Sequence, residues 1–423
     1  MKKGLGRTRS GLIAALDVGS SKTCCFIARM GEDMRPRVLG IGQQVSHGLR
    51  HGTVIDLDAA TQSIGKAVHA AEQMADEQID QVVVNLSGGG PASRTVSVEV
   101  ALNGHEIGQG DVRRAIDECH LLDGMAQGES TGRQLIHSIP ISYAIDGSRG
   151  IRDPRGMYGD RLAVDLHTVS AATGALRNLA ACIERAHLSV AGVVVSPYAS
   201  GLAALVEDEM ELGVTLVDMG GGTTSMAVFA EGNVVYTDVL PVGGNHVTND
   251  IARGLSTPRA HAERMKTLYG HAMATAADEH ETIDVPQVGE DESSALQQMP
   301  RSLLVGIIQP RLEETLELVR NRLEASGFDK LAGRRVVLTG GASQLPGLRD
   351  LASLVLDKQV RIGRPIRVRG LAEVTSGPTY ATCAGLLTYA AAANLTQPRP
   401  ARQEPKPAES LIGRLGHWLR EHF

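Results

Sequence analysis

The stretch "VTLVDMGGGTTSMAVFA" (214–230) decides how the rest of this 423-residue chain is read. An apolar run ends at Asp218. Gly220, Gly221, Gly222, Thr223 and Thr224 follow, and a second apolar run resumes. The run lengths suit two strands, and the small residues between them suit a tight turn. "LIAALDVGSSKTCCFIA" (12–28) repeats the plan, with Asp17, Gly19, Ser20, Ser21 and Lys22 at the break. The two aspartates stand about 200 positions apart, a duplication at the scale of a domain and not a short solenoid period.

The residue types at each break suit a polyphosphate. Glycine lets backbone N–H groups face an anion with no Cβ in the way. The hydroxyls of Ser20, Ser21, Thr223 and Thr224 add donors, and Lys22 adds a cation. Asp17 and Asp218, at the strand ends, are placed to orient Mg²⁺ through its water shell, because that ion dehydrates reluctantly. Two such hairpins facing each other would grip a triphosphate from both sides. No G-x-x-x-x-G-K-[ST] occurs, which excludes a P-loop. Each break leads into a strand and not a helix, which argues against a dinucleotide fold. A plain glycine-rich hairpin explains either copy taken alone; the pair, with two further motifs, favours the phosphate reading. In "VVYTDVLPVGGNHVTNDIARGL" (234–255), Gly243 and Gly244 separate a strand from a helix. In "RRVVLTGGASQLPGLRDLASLVL" (334–356), Gly340, Gly341 and Ala342 do the same. A glycine pair there lets backbone lie flat against a planar base, although a simple strand-to-helix turn reads equally well.

Composition bounds the rest. Hydrophobic residues make up 42% and charged residues 21%, the balance of an ordinary globular protein with room for several subdomains. The net charge of −6 provides no basic field for nucleic acid. Five scattered cysteines suggest a reducing compartment, and none has zinc-site spacing. The apolar run "LIAAL" after the basic N-terminus is too short for a signal peptide. No stretch reaches the roughly 18 apolar residues of a spanning helix, so a cytoplasmic body is expected.

These motifs resemble the actin superfamily of ATPases: phosphate-1 "DVGSSKT", phosphate-2 "DMGGGTT" and adenosine "LTGGAS". Within it the chain is similar to the FtsA family of bacterial division proteins, which tether FtsZ to the inner membrane. "SRGIRDPRGMYGDRLAVDLHTVSA" (148–171), "ELGVTLVDMGGGTTSMAVF" (211–229), "VVLTGGASQLPGL" (336–348), "TYATCAGLLTYA" (379–390) and an amphipathic C-terminal tail carry that likeness. The resemblance implies an α/β fold: an actin-like ATPase of two duplicated ribonuclease H-like domains, with an α+β subdomain, 1C, inserted in place of the actin arm. Subdomain 1A would comprise 10–86 and 165–196, 1C 87–164, 2A 197–232 and 305–392, and 2B 233–304. The residues support the insertion: "SRTVSVEVAL" alternates like an edge strand, "GDVRRAIDECHLL" has helical spacing, and "RQLIHSIPISYAI" reads as a strand.

The likeness also implies ATP and Mg²⁺ as cofactors. Glu263 and Lys266 match the helix that touches the adenosine; three apart, they share a helix face, and a solvated ion pair fits the spacing as well. Segment 274–299 holds Asp278, Glu279, Glu281, Asp284, Glu290, Asp291 and Glu292 and no Lys or Arg, the composition of a solvated loop. In the family, this zone and the helix after it take the FtsZ C-terminal peptide. Arg301 matches an arginine opening that helix, either meeting peptide carboxylates or simply exposed. Other implied partners are further copies of the chain in a filament and later division proteins through 1C. Ser196, before Pro197 and Tyr198, stands where a related filament protein, MreB, has a water-activating glutamate, so weak or no ATP turnover is expected.

The tail "SLIGRLGHWLREHF" (410–423) follows a polar, proline-rich linker at 393–409 and carries the chain's single tryptophan. At 100° per residue, Leu411, Ile412, Leu415, Trp418, Leu419 and Phe423 fall on an arc of about 140°. Arg414 and Arg420 flank the arc, the pattern of an interfacial helix that binds membrane lipids. The entropy of ordering the segment, with Gly413 and Gly416 in it, offsets the burial of those side chains. One tail therefore binds weakly, and many tails on one filament hold by avidity. The implied location is the cytoplasmic face of the inner membrane at the division site. A pilus-assembly adaptor of the PilM type is the main alternative, and the tail argues against it. A chaperone ATPase would need a peptide-holding domain in the roughly 30 residues after the core, too few for one. A sugar kinase would need a catalytic aspartate that has no convincing place.

Overall fold

The computed structural model describes residues 11–33, 35–127, 132–289 and 297–396. The chain opens with an antiparallel meander of β1 (Leu12–Val18), β2 (Lys22–Met30) and β3 (Pro36–Val45). A short ladder, β4 (Leu49–Arg50) with β5 (Thr53–Val54), leads into α1 (Leu57–Ala75). Asp56 caps that helix, accepting the amides of Asp58 and Ala59 at 3.0 Å each. Strand β6 (Gln81–Leu86) then runs parallel to β1.

The chain leaves this sheet for an inserted unit made of β7 (Ala92–Ala101), α2 (Gln109–Gln127), β8 (Arg133–Ile145), β9 (Ser148–Ile151) and β10 (Arg161–Ala172). Its antiparallel sheet has the order β7-β10-β8-β9, so the alternating run at 93–102 does form an edge strand. Val98, Val100, Leu162, Val164 and Leu166 face Ala115 and Cys119 of α2, giving the unit its own small core. Strand β7 is clipped to the second half: Ser93 Oγ donates to the Thr237 carbonyl at 2.8 Å and accepts its amide at 3.0 Å. The chain returns through α3 (Thr173–Arg185) to β11 (Ser189–Val195), parallel to β6.

The second half repeats the first. After α4 (Ser196–Ala204) and α5 (Glu207–Leu212) come β12 (Val214–Met219), β13 (Thr224–Ala230) and β14 (Asn233–Leu240), again an antiparallel meander. Then follow α6 (Gly244–Gly254), α7 (Arg259–Tyr269), β15 (Thr282–Val285), β16 (Gln297–Pro300) and α8 (Arg301–Ser326). Strand β17 (Arg335–Thr339), α9 (Leu348–Leu356), β18 (Gln359–Ile362) and α10 (Ala381–Thr396) end the described chain. The two large sheets share one strand plan, β3-β2-β1-β6-β11 and β14-β13-β12-β17-β18, with matching directions. Every residue of β1, β12 and β13 is buried. Such strands are covered on both faces, and their sequences therefore run apolar without alternating. Phe26 and Ala15 of the first sheet pack on Ala199 of α4 and on Ala384 and Leu387 of α10. By its contacts the chain divides at Ala391 into a body and a remainder from Ala392 onward.

Two expectations change here. The acidic segment is not simply a solvated loop. Its TIDV sequence alternates exposed and buried residues as β15, pairs with β16, and sends Ile283 and Val285 into the second-half core. Asp278 is 1% exposed and accepts from the amide and hydroxyl of Thr275. A count of charges hid that period-two signal. Glu290, Asp291 and Glu292 lie outside the described residues. The second change is at "LTGGAS", which enters a 3-10 turn (Gly341–Gln344) before α9 and not the helix directly. The proposed membrane helix, with Leu411, Ile412, Leu415, Trp418, Leu419 and Phe423, also lies outside the described residues. Among the described residues no helix is long and apolar enough to cross a membrane.

Candidate nucleotide cleft

The turn after β1 and the turn after β12 close in the same way. Gly19 N–H donates to the Lys22 carbonyl at 3.0 Å, and Gly220 N–H donates to the Thr223 carbonyl at 2.9 Å. The duplication thus extends to the hydrogen bond that shapes each loop. The loops meet tip to tip. A Cβ on Gly221 would lie 2.0 Å from Ser21 Oγ, and one on Gly222 would lie 2.4 Å from Ser20 Oγ. Only glycine permits that approach at both positions. Ser21 Oγ also donates to Asn245 Oδ1 at 3.2 Å, and Ser20 Oγ accepts the Gly52 amide at 2.8 Å.

Below the loops lies a cleft of about 420 Å³, within the roughly 300–1,000 Å³ of small-molecule sites. Asp17, Gly19, Ser20, Ser21 and Lys22 line it from the first half. Asp218, Gly220, Gly221, Gly222 and Thr223 line it from the second. Gly244, Glu263, Lys266, Gly340, Gly341 and Ala342 line the other end. The structure therefore gathers sixteen of the eighteen expected cleft residues. The two exceptions are Thr224 and Gly243. Thr224 is the first residue of β13 and wholly buried in the sheet, so its hydroxyl is not offered to the cleft. Gly243 sits behind the second loop, where a Cβ would lie 2.6 Å from the Gly220 carbonyl oxygen; it supports the loop without lining the cleft. The first amides of α6 are likewise spent on that loop, Gly244 N–H to Gly220 O at 3.0 Å and Asn245 N–H to Gly221 O at 2.7 Å.

Two buried carboxylates, Asp17 and Asp218, line the cleft beside the loops. Burial drives the Asp17 pKa up to about 7; Lys22 opposes the rise and Asp218 adds to it. Burial also raises Asp218, against hydrogen bonds from Ser200 Oγ (2.6 Å) and Thr382 Oγ1 (3.0 Å) to its Oδ2 and against the charge of Lys22. Gly340, at φ +85°, backs this carboxylate, and a Cβ there would lie 2.3 Å from Asp218 Oδ1. Lys22 Nζ donates to the Thr379 carbonyl at 2.9 Å and sits 3.8 Å from the Tyr380 ring centroid. A site this short of positive charge suits a hydrated divalent cation. No cluster of three or more His, Cys, Asp or Glu residues forms a direct ligand set among the described residues. At the other end, Lys266 Nζ meets Glu263 Oε2 at 2.7 Å, Thr248 Oγ1 at 2.8 Å and the Gly244 carbonyl at 3.2 Å. The i,i+3 pair is thus an ion pair and part of the cleft wall at once.

Sequence reasoning missed several residues here. Asn85, the penultimate residue of β6, lies at the same sheet end as Asp17, donates to Ser196 Oγ at 3.1 Å and accepts the Val18 amide at 2.7 Å. A polar residue inside the otherwise apolar run "VVVNL" was its signal. Thr379 and Thr382 lie within "TYATCAGLLTYA", where nothing in the spacing marked them. Ser196 is 4% exposed, accepts from Asn85 and supplies no general base. Arg301 opens α8 as expected, yet its side chain is turned inward. It donates to the Tyr269 carbonyl at 2.8 Å and pairs with Glu281 at 2.7 Å and Asp278 at 3.3 Å.

Comparison with known proteins agrees with this geometry. The family model "Cell division protein FtsA" matches residues 215–385, and "SHS2 domain inserted in FTSA" matches 88–170. The chain is 44% identical over 434 aligned residues to cell division protein FtsA of Agrobacterium fabrum, covering 100% of this chain and 97% of that protein. Against FtsA of Pseudomonas aeruginosa the identity is 35%, and against that of Escherichia coli K12 it is 33%; each match covers 97% of this chain and 98% of the relative. Among solved structures, the PilM-PilN type IV pilus biogenesis complex aligns at TM-score 0.62 and 19% identity, covering 90% of this chain and 98% of that one. ADP-bound MreB5 of Spiroplasma citri aligns at TM-score 0.50 and 13% identity, covering 89% and 95%. These two likenesses establish an actin-like ATPase fold. The full-length identities go further and separate the chain from the pilus adaptors: it belongs to the FtsA family of bacterial cell division proteins.

Proposed function

We propose that this chain is an ATP-binding, filament-forming adaptor that holds FtsZ filaments at the cytoplasmic face of the inner membrane. The observation that carries the reading is the convergence of two duplicated loops, each with a buried aspartate at its base, on one cleft. ATP would lie with its phosphates between the loops and its adenosine between Glu263/Lys266 and Gly340–Ala342. Asp17 and Asp218 would hold Mg²⁺ through water. Ser196 replaces a water activator, so the nucleotide acts as a conformational ligand with slow turnover at most. Subdomain 1C, proposed from the sequence at 87–164, is assigned to later division proteins and filament contacts; its sheet continues along β10 to Ala172, and β14, proposed as the start of 2B, pairs within the second large sheet.

The surface around Arg301 is assigned to the FtsZ C-terminal peptide. A peptide carboxylate would have to compete with Glu281 for the guanidinium, which favours a modest affinity. Residues 410–423 are assigned to the membrane, each tail weak and many together firm. Vesicle flotation with ATP and FtsZ, with and without residues 408–423, tests the adaptor role. Recruitment of FtsZ should require both ATP and the tail, and recruitment by the tail-less chain would overturn it.

A further inference from the structure

A second cavity, of about 1,030 Å³, lies against the outer side of the phosphate loops. The two cavities share Ser20, Ser21, Gly222, Asn245 and Glu263, so the loop tips form a thin partition between them. One wall of the outer groove comes from residues 45–51, and the other from α6, the start of α7 and Arg311 of α8. Arg50, Arg253, Arg259 and Arg311 line it, against Asp250 and Glu263.

Both carboxylates already have a cation. Asp250 pairs with Arg311 at 2.5 Å, and Glu263 pairs with Lys266 at 2.7 Å. Arg50 and Arg253 are exposed, and neither meets a carboxylate among the described residues. A chain of net charge −6 therefore concentrates uncompensated guanidinium groups in one groove. Where the two halves meet, His51 and His246 stack with ring centroids 5.2 Å apart. His51 Nδ1 lies 3.2 Å from the Gly222 carbonyl. His246 Nδ1 lies 3.1 Å from the Gly243 amide nitrogen and 3.3 Å from the Gly243 carbonyl oxygen; in the tautomer that accepts the amide, the shorter of the two contacts, the proton of the neutral ring is on Nε2. That N–H has no partner among the described residues and is a free donor.

We propose that this groove is a second anion site, for a phosphate-class dianion, held by Arg50, Arg253 and the Nε2–H of His246. Guanidinium groups meet phosphate oxygens two at a time, and a neutral imidazole N–H adds a third direction. The cations come from residues that the nucleotide cleft does not use, so the site does not depend on the nucleotide reading. Its position does couple the two. An anion outside and nucleotide phosphates inside would face each other across Ser20, Ser21 and Gly222, and each would weaken the other by the same factor.

Equilibrium dialysis of the full chain with radiolabelled inorganic phosphate, in low-salt chloride buffer, tests this with and without saturating magnesium AMPPNP. Phosphate should bind saturably in both arms and more weakly beside AMPPNP. Combining Arg50→Ala with Arg253→Ala should weaken phosphate by at least about tenfold, with Arg50→Lys plus Arg253→Lys restoring part of the loss. AMPPNP affinity in phosphate-free buffer should stay unchanged in both variants. Complete displacement of phosphate by AMPPNP would assign the ion to the nucleotide cleft and overturn the proposal. So would parental affinity in the double alanine variant, or no binding to the nucleotide-free chain. Failure of AMPPNP to bind would instead count against the proposed ATP site, and the nucleotide-free arm would still decide this one.

Discussion

Replacing Asp17 with asparagine should stabilise the nucleotide-free protein, and by an amount that grows with pH. Burial holds the Asp17 carboxyl at about 7, against 3.8 when free. A folded pKa raised above the unfolded one gives a contribution that is full below the unfolded value and is lost as pH rises through the folded value. Ionising Asp17 in the empty cleft therefore costs the fold about 4 kcal/mol by pH 8, from roughly three pKa steps at 1.36 kcal/mol each. Asparagine keeps the shape and removes the titration. Thermal melts of both proteins from pH 5 to pH 8 should show a melting-temperature gap in favour of Asp17→Asn that widens toward pH 7 and then levels off. Magnesium nucleotide should reverse the order, because the bound cation favours the carboxylate and releases its proton. A gap that does not change with pH would refute the claim that Asp17 is a buried, charge-starved carboxyl.

Three further outcomes follow from named contacts. Thr382→Val removes one of two hydroxyls that hold Asp218, costing about 1–3 kcal/mol in chemical denaturation and weakening magnesium-nucleotide binding most at neutral and lower pH. Arg301→Ala leaves Asp278, 1% exposed, without its cation. That should cost about 3–5 kcal/mol, so loss of peptide binding in this variant must be read beside its melting curve, and Arg301→Lys is the cleaner probe. Replacing both Trp418 and Leu419 with glutamate should abolish vesicle flotation while leaving ATP binding unchanged; flotation of that variant at the parental level would remove the tail from the account.

The fold was legible because its signal is doubled. The Asp–Gly breaks at 17–22 and 218–224 each gave a strand-turn-strand, and the sheets built on them share one strand plan. The inserted unit was legible from the alternation of 93–102 and the helical spacing of 110–122. What stayed hidden depends on partners distant in the chain. Ser200 and Thr382 are 182 positions apart and meet only because α4 and α10 pack together, so no local pattern could place either on Asp218. Thr224 was assigned to the cleft because composition does not say which residue of "GGGTT" turns back into the sheet. For Arg301 the sequence offers a peptide contact or plain exposure, because a helix-start position says nothing of Asp278 and Glu281 folded beside it.

The central claim is that loops from two duplicated halves jointly hold a nucleotide triphosphate. Calorimetric titration of MgATP into the nucleotide-free full chain and into its Lys22→Ala variant tests it most directly. The account predicts one ATP per chain, with the affinity falling at least about tenfold when the lysine is removed from the first loop. No heat of binding to the parent protein, or equal affinity in the two proteins, would contradict it.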